Sequence, residues 1–200
     1  MDAEWNISRR MGVSTIQLCP HFDPLAVYII RVHRLSSLPP SLLRLLTSER
    51  VWKIGSRIKG DLTRLKKQFP SQLDDNTRFS TIDLKDLARS RGLIQPRQSG
   101  SLAALCDAIL GLELPKDPKI RANNNWEFST ISPALLYYAA CDVAASRHIF
   151  EAMFDHTLSI TEQTLPTSLD DGSEGAQVDV QVIEAEADVE VFYVKESRYL

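Results

Sequence analysis

Tyr137-Tyr138-Ala139-Ala140-Cys141-Asp142-Val143 lies inside an apolar run that begins near Ser132. Ser132 suits a helix N-cap, and Pro133 suits the first helical position, where its missing N–H has no intrahelical partner to lose. Ile131 and Leu136 are placed to close a hydrophobic staple over that cap, and Leu136, Ala140, Val143, Ile149, Phe150 and Met153 recur on an inward stripe. The run therefore predicts a helix. Tyr138 and Asp142 stand four residues apart on it, so a phenol and a carboxylate project from one face. Two readings follow for Asp142: a solvated position opposite the core, or part of a site built with acids from elsewhere in the chain.

The 200 residues suit one domain with a core of ordinary size. A hydrophobic content of 44% and a charged content of 24% are those of a globular protein. The clearest apolar run, Leu25 to Ile30, is six residues, far short of a bilayer span, and Met1-Asp2-Ala3-Glu4 lacks the basic and apolar regions of a signal peptide. An intracellular protein, nuclear or cytoplasmic and with no membrane partner, is expected. Cys19, Cys106 and Cys141 are widely spaced in apolar neighbourhoods and read as buried reduced thiols. The net charge of −3 conceals an asymmetry: residues 31–100 carry 15 Lys/Arg against 6 Asp/Glu, a balance of +9, and residues 151–200 carry 2 against 12, a balance of −10. The basic half suits a phosphate backbone or a merely solvated face.

In chain order, Asp2 and Glu4 share one face if their segment is extended, where two acids repel unless a cation lies between them; a frayed, charged terminus is the plain alternative. Residues 12–19 and 26–32 read as two strands joined through His21-Phe22-Asp23-Pro24. Pro39-Pro40-Ser41 opens a short helix, and Val51-Trp52-Lys53-Ile54-Gly55 reads as a buried strand. Ile58, Leu62, Leu65 and Phe69 then mark a helix whose first turn holds Asp61, a position that serves the helix dipole as well as it serves a ligand. Thr81-Ile82-Asp83-Leu84 reads as an edge strand leading into a helix, residues 92–100 as a polar linker, and Ser101-Leu102 as the start of another helix. Lys116, Lys119 and Arg121 put three cations on a loop shortly before Trp126, a mixture suited to a nucleotide strand. Residues 1–155 are expected to form the domain and residues 156–200 a weakly ordered acidic tail, with one strand or hairpin conceivable inside it but lacking an obvious partner.

Taken together, Asp2-Ala3-Glu4-Trp5, Ile16-Gln17-Leu18-Cys19, Lys53-Ile54-Gly55 through Asp61, Asp83 through Ala88, Ser101 through Gly111, Lys116 through Trp126 and Tyr138 through Asp142 resemble, in that order, the DEDD superfamily of 3′ to 5′ exonucleases. Within it they are most similar to the ribonuclease D and Werner-type branch. A Tyr four residues before the last Asp, with Tyr137 rather than His five before it, implies the tyrosine subtype. The resemblance implies an α/β, ribonuclease H-like fold: a mixed five-stranded sheet, three strands antiparallel and the rest parallel, flanked by helices. It implies Asp2, Glu4, Asp61 and Asp142 as ligands of two divalent ions, Mg²⁺ or Mn²⁺, and Tyr138 as the group that orients the attacking water. It further implies a single-stranded or 3′-end nucleic acid, DNA or RNA, as partner, held by Lys116, Lys119 and Arg121, with Trp5 or Trp126 placed either to stack on a base or merely to pack. In the family the paired acids follow several apolar strand residues, whereas Met1 alone precedes Asp2 here. A first strand truncated at its N-terminal end is expected, with a catalytically impaired binding module as the alternative function.

Overall fold

The computed structural model describes residues 1–6, 12–22, 26–114, 125–154, 179–185 and 189–195. The first three strands, β1 (Asp2–Glu4), β2 (Thr15–Leu18) and β3 (Ala26–Arg31), form an antiparallel meander in which Ala3 faces Ile16 and Ile16 faces Ile30. The helix α1 (Pro40–Thr47) follows, with Pro40 at its start. A parallel pair, β4 (Lys53–Gly55) and β5 (Thr81–Asp83), is connected through α2 (Ile58–Gln68). Next come α3 (Leu84–Ser90), capped by the Asp83 carboxylate, and α4 (Leu102–Leu105), capped by the Ser101 hydroxyl and continued by a π-helical turn, Cys106–Leu110. The long helix α5 (Pro133–Phe154) packs across β1, β2, β3 and β4.

The fold is α/β and ribonuclease H-like. The strands expected in one mixed five-stranded sheet are present as two sheets, the antiparallel meander and the parallel pair, which approach each other where Met1 meets Ile54 and Gly55. There the Met1 ammonium donates to the Ile54 carbonyl at 2.6 Å, and a Cβ on Gly55 would fall 2.3 Å from the Met1 carbonyl oxygen, so the two strands run in close approach. Apolar residues fill both faces of this layer. One core gathers Val27, Ile29, Leu84 and Leu105 under the inward stripe of α5; the other gathers Ala3, Ile16, Val32 and the inward faces of α1 and α2.

Two expectations are corrected. The buried strand at residues 51–55 shortens to Lys53–Gly55, with Trp52 58% exposed. Lys53 Nζ donates to the carbonyls of Ser48 and Val51 and so closes a turn, which keeps the side chains of Val51 and Trp52 outside the ladder. In the acidic tail, β6 (Asp179–Ala185) and β7 (Val189–Lys195) form a hairpin, and β7 pairs antiparallel with β3. The free edge of β3 is the partner that the sequence does not reveal, and it makes a five-stranded antiparallel ladder in the order β1-β2-β3-β7-β6. Residues 155–178 lie outside the described residues.

Candidate active site

Strand alternation places the first two acids. Ala3 is buried in the core beneath α1 and α2, so Asp2 and Glu4 project from the opposite face of β1, the face that α5 covers. The α5 cap forms as the sequence predicts: the Ser132 hydroxyl accepts from the Leu135 N–H at 3.4 Å, and its carbonyl accepts from Leu135 and Leu136. Ten residues along, Asp142 is buried at 9% exposure and reaches the β1 acids. Carboxylate oxygens of Asp2, Glu4 and Asp142 lie within 4.8 Å of one another. The solvated reading of Asp142 is thereby excluded.

Tyr138, one turn before Asp142, donates its hydroxyl to that carboxylate. Burial, followed by the negative charges of Asp142 and Glu4, pushes the phenol well above its ordinary 10.0, so it keeps its proton at neutral pH and acts as a hydrogen-bond donor. Asp61 comes from the first turn of α2 and is 5% exposed. Arg57, at φ 60° and ψ 26° in the left-handed region, makes the bend from β4 that brings it there. Burial first and the charge of Asp2 second push the Asp61 carboxyl up to about 8, while the Met1 ammonium and Arg64 pull it down. Burial also raises Asp2, opposed by the Ala3 backbone N–H and the Met1 ammonium.

The chemistry of the donor set suits divalent cations. Asp61 Oδ2 is a buried oxygen with no hydrogen-bond partner among the described residues, which costs free energy unless a proton or cation meets it. Asp61 stands outside the 4.8 Å group but is coupled electrostatically to Asp2 within it. Hard carboxylate oxygens with excess negative charge fit Mg²⁺ or Mn²⁺.

The expected nucleic-acid contacts fare unequally. Trp5 is half-buried beside Glu4, and the Arg64 guanidinium lies over its ring, 4.1 Å from the centroid. Trp126 is corrected: at 1% exposure it is a core residue, and its backbone N–H donates to Asn6 Oδ1 at 3.1 Å, so its ring is unavailable to a base. Lys116, Lys119 and Arg121 lie outside the described residues. Arg64 is the residue that sequence reasoning missed. Its signal was its place three residues after Asp61, one helical turn along the same face.

Against known proteins, the model of a family described as 3′-5′ exonuclease matches residues 1–157. The chain belongs to that family. A 3′-5′ exonuclease of Arabidopsis thaliana is 32% identical over 160 residues, covering 78% of this chain and 52% of the relative. The bifunctional 3′-5′ exonuclease/ATP-dependent helicase WRN of Mus musculus is 29% identical over 156 residues, covering 76% of this chain and 10% of the relative. The chain thus spans about half the length of the first of these relatives and a tenth of the second. Among solved structures, Brucella melitensis NrnC bound to pGG superimposes with a TM-score of 0.58 at 20% identity, covering 76% of this chain and 69% of that one, which supports the same fold for this member of the exonuclease family. None of its described helices is long and apolar enough to cross a membrane.

Proposed function

We propose that this chain is a metal-dependent 3′ to 5′ exonuclease that hydrolyses the terminal phosphodiester bond of a single-stranded nucleic acid, DNA or RNA, and releases a nucleoside 5′-monophosphate. The observation that carries this reading is the convergence of Asp2, Glu4 and Asp142 within 4.8 Å, with the Tyr138 hydroxyl held on Asp142. These three carboxylates, with Asp61 coupled to Asp2, are the residues that would hold two ions, Mg²⁺ or Mn²⁺. Bound there, the ions would supply Lewis-acid stabilisation of the phosphoryl oxygens and a more acidic water.

The chain's own residues do the rest. Tyr138 stays protonated, so it orients the attacking water by hydrogen bonding and does not take its proton. Asp142 fixes the phenol, and α5 fixes Asp142 and Tyr138 relative to each other through one helical turn. Lys116, Lys119, Arg121 and the basic residues of 31–100 carry the strand toward the acids. A second reading, a nucleic-acid-binding module with impaired catalysis, is favoured by one observation: burial raises the carboxyls of Asp2 and Asp61, and a protonated carboxyl holds a cation less well.

The test uses 5′-labelled single-stranded DNA and RNA with Mg²⁺, Mn²⁺ or chelator, beside an Asp142→Ala control. A metal-dependent ladder that shortens from the 3′ end and is absent in the control is expected. Binding without any ladder would favour the second reading, and neither binding nor cleavage would overturn both.

A further inference from the structure

The acidic cluster repels the polyanion it is proposed to cut, so a cation beside it shapes how a strand approaches. Arg64 is such a cation. It stands one turn beyond Asp61 on α2, and its charge reaches the Asp61 carboxyl. Its guanidinium lies over the ring of Trp5, 4.1 Å from the centroid, and Trp5 directly follows Glu4 of the cluster. Arg64 is exposed, and among the described residues it forms no ion pair. A guanidinium stacked on an aromatic face is already ordered, and stacking leaves the in-plane N–H edge available for two parallel hydrogen bonds to a phosphate. Both halves of the stack are attached to elements that carry site acids, Trp5 next to β1 and Arg64 on α2, so its position relative to the cluster is fixed by the fold.

We infer that Arg64, held over the Trp5 ring beside Glu4 and Asp61, is a positioning residue that grips a backbone phosphate of single-stranded nucleic acid as the 3′ end enters the acidic cluster. This rests on the nuclease reading above and adds to it a residue and a contact. Arg64 is placed to meet the strand and not the reacting atoms, so its removal acts mainly on capture of the strand.

The experiment compares the full chain with Arg64→Ala and Arg64→Lys on 5′-labelled single-stranded oligonucleotides. It measures kcat, KM, and equilibrium binding in chelator across a salt series. Equal melting temperatures for the three proteins are expected, since the position is exposed. Arg64→Ala should raise KM about tenfold with kcat within about twofold, and the slope of log affinity against log salt should fall by about 0.7, one phosphate contact on a single strand. Arg64→Lys should keep the wild-type slope but recover only part of the affinity, because an ammonium neither stacks flat nor binds in a fork. Wild-type KM and salt slope in Arg64→Ala, with wild-type protein cleaving normally, would overturn this inference alone. Lysine matching arginine in affinity would overturn the stacked grip. A wild-type chain that neither binds nor cleaves would sink the nuclease reading and this one together.

Discussion

Replacing Asp61 with Asn removes a buried charge while keeping the shape of the side chain, and the structure sets the sign and size of the result. The carboxyl of Asp61 is pushed from its ordinary 3.8 up to about 8 by burial and by Asp2. Between those values the folded protein holds a proton that the unfolded chain has released. Stability from this group is therefore complete below about pH 4 and is lost as pH rises through about 8. At about 1.4 kcal/mol per pH unit the whole loss is bounded near 6 kcal/mol, and relaxation with water entry around the charge reduces it to roughly 3. Asn has no charge to acquire, so the metal-free variant should match wild type near pH 4 and exceed it at pH 8 by about 6–12 °C in melting temperature for a chain of this size. Asp2, raised in the same direction, stands in both proteins; its repulsion of the Asp61 carboxylate is lost in the variant and acts with the same sign as burial. Melting curves in chelator from pH 4 to pH 8.5 make the measurement. Adding Mn²⁺ at pH 8 should reverse the order, because an ion bound by the folded state stabilises wild type more than the variant. A difference that is the same at both pH values, or a variant that melts below wild type at pH 8 without metal, would refute the reasoning.

Tyr138→Phe should lower kcat by about 10² to 10⁴ with KM within about twofold, since the ring is kept and only the water-orienting hydroxyl is lost; a fall of less than tenfold would remove Tyr138 from the mechanism. Gly55→Ala should cost about 1–3 kcal/mol, because the new Cβ meets the Met1 carbonyl oxygen at 2.3 Å and backbone cannot swing aside; denaturant titration reads the loss, and activity should fall further as β1 carries Asp2 and Glu4 away. Trp126→Ala should cost about 3–5 kcal/mol as a core deletion yet leave the oligonucleotide affinity of the folded fraction unchanged, measured by anisotropy below the melting transition.

The parts of the fold legible from sequence are those where one local period dominates. The α5 stripe, its Ser132-Pro133 start and the four-residue spacing of Tyr138 and Asp142 are properties of a single helix, and the structure keeps each. The alternation of Asp2 and Glu4 around Ala3 is equally local. What depended on contact between distant segments was less readable. Val51 and Trp52 have strong strand preference, but Lys53 Nζ closes a turn over the Ser48 and Val51 carbonyls and overrides it. Trp126 sits between polar residues in a sequence that suggests a surface loop, while the Asn6 side chain 120 residues away satisfies its N–H and the ring enters the core. The β6–β7 hairpin had alternation enough to be a strand pair, but the edge of β3 that receives it carries no mark in the sequence.

The register of β1 ties fold and site together. Across β1 and β2, Asp2 faces Gln17, Ala3 faces Ile16 and Glu4 faces Thr15, so a polar face lies opposite α5 and an apolar face lies on the α1–α2 core. Gln17 Nε2 donates to Thr15 Oγ1 at 2.7 Å, which keeps the polar face of β2 partly satisfied behind the acids. A slip of one residue would turn Asp2 and Glu4 into the core with Ile16, Leu42 and Leu62, where each charge would be desolvated without a partner. The same slip would take both acids away from Asp142. The burial energetics that reject the wrong register thus select the arrangement in which three carboxylates meet, and a strand of only three residues is specified by the chemistry of its two faces as much as by its hydrogen bonds.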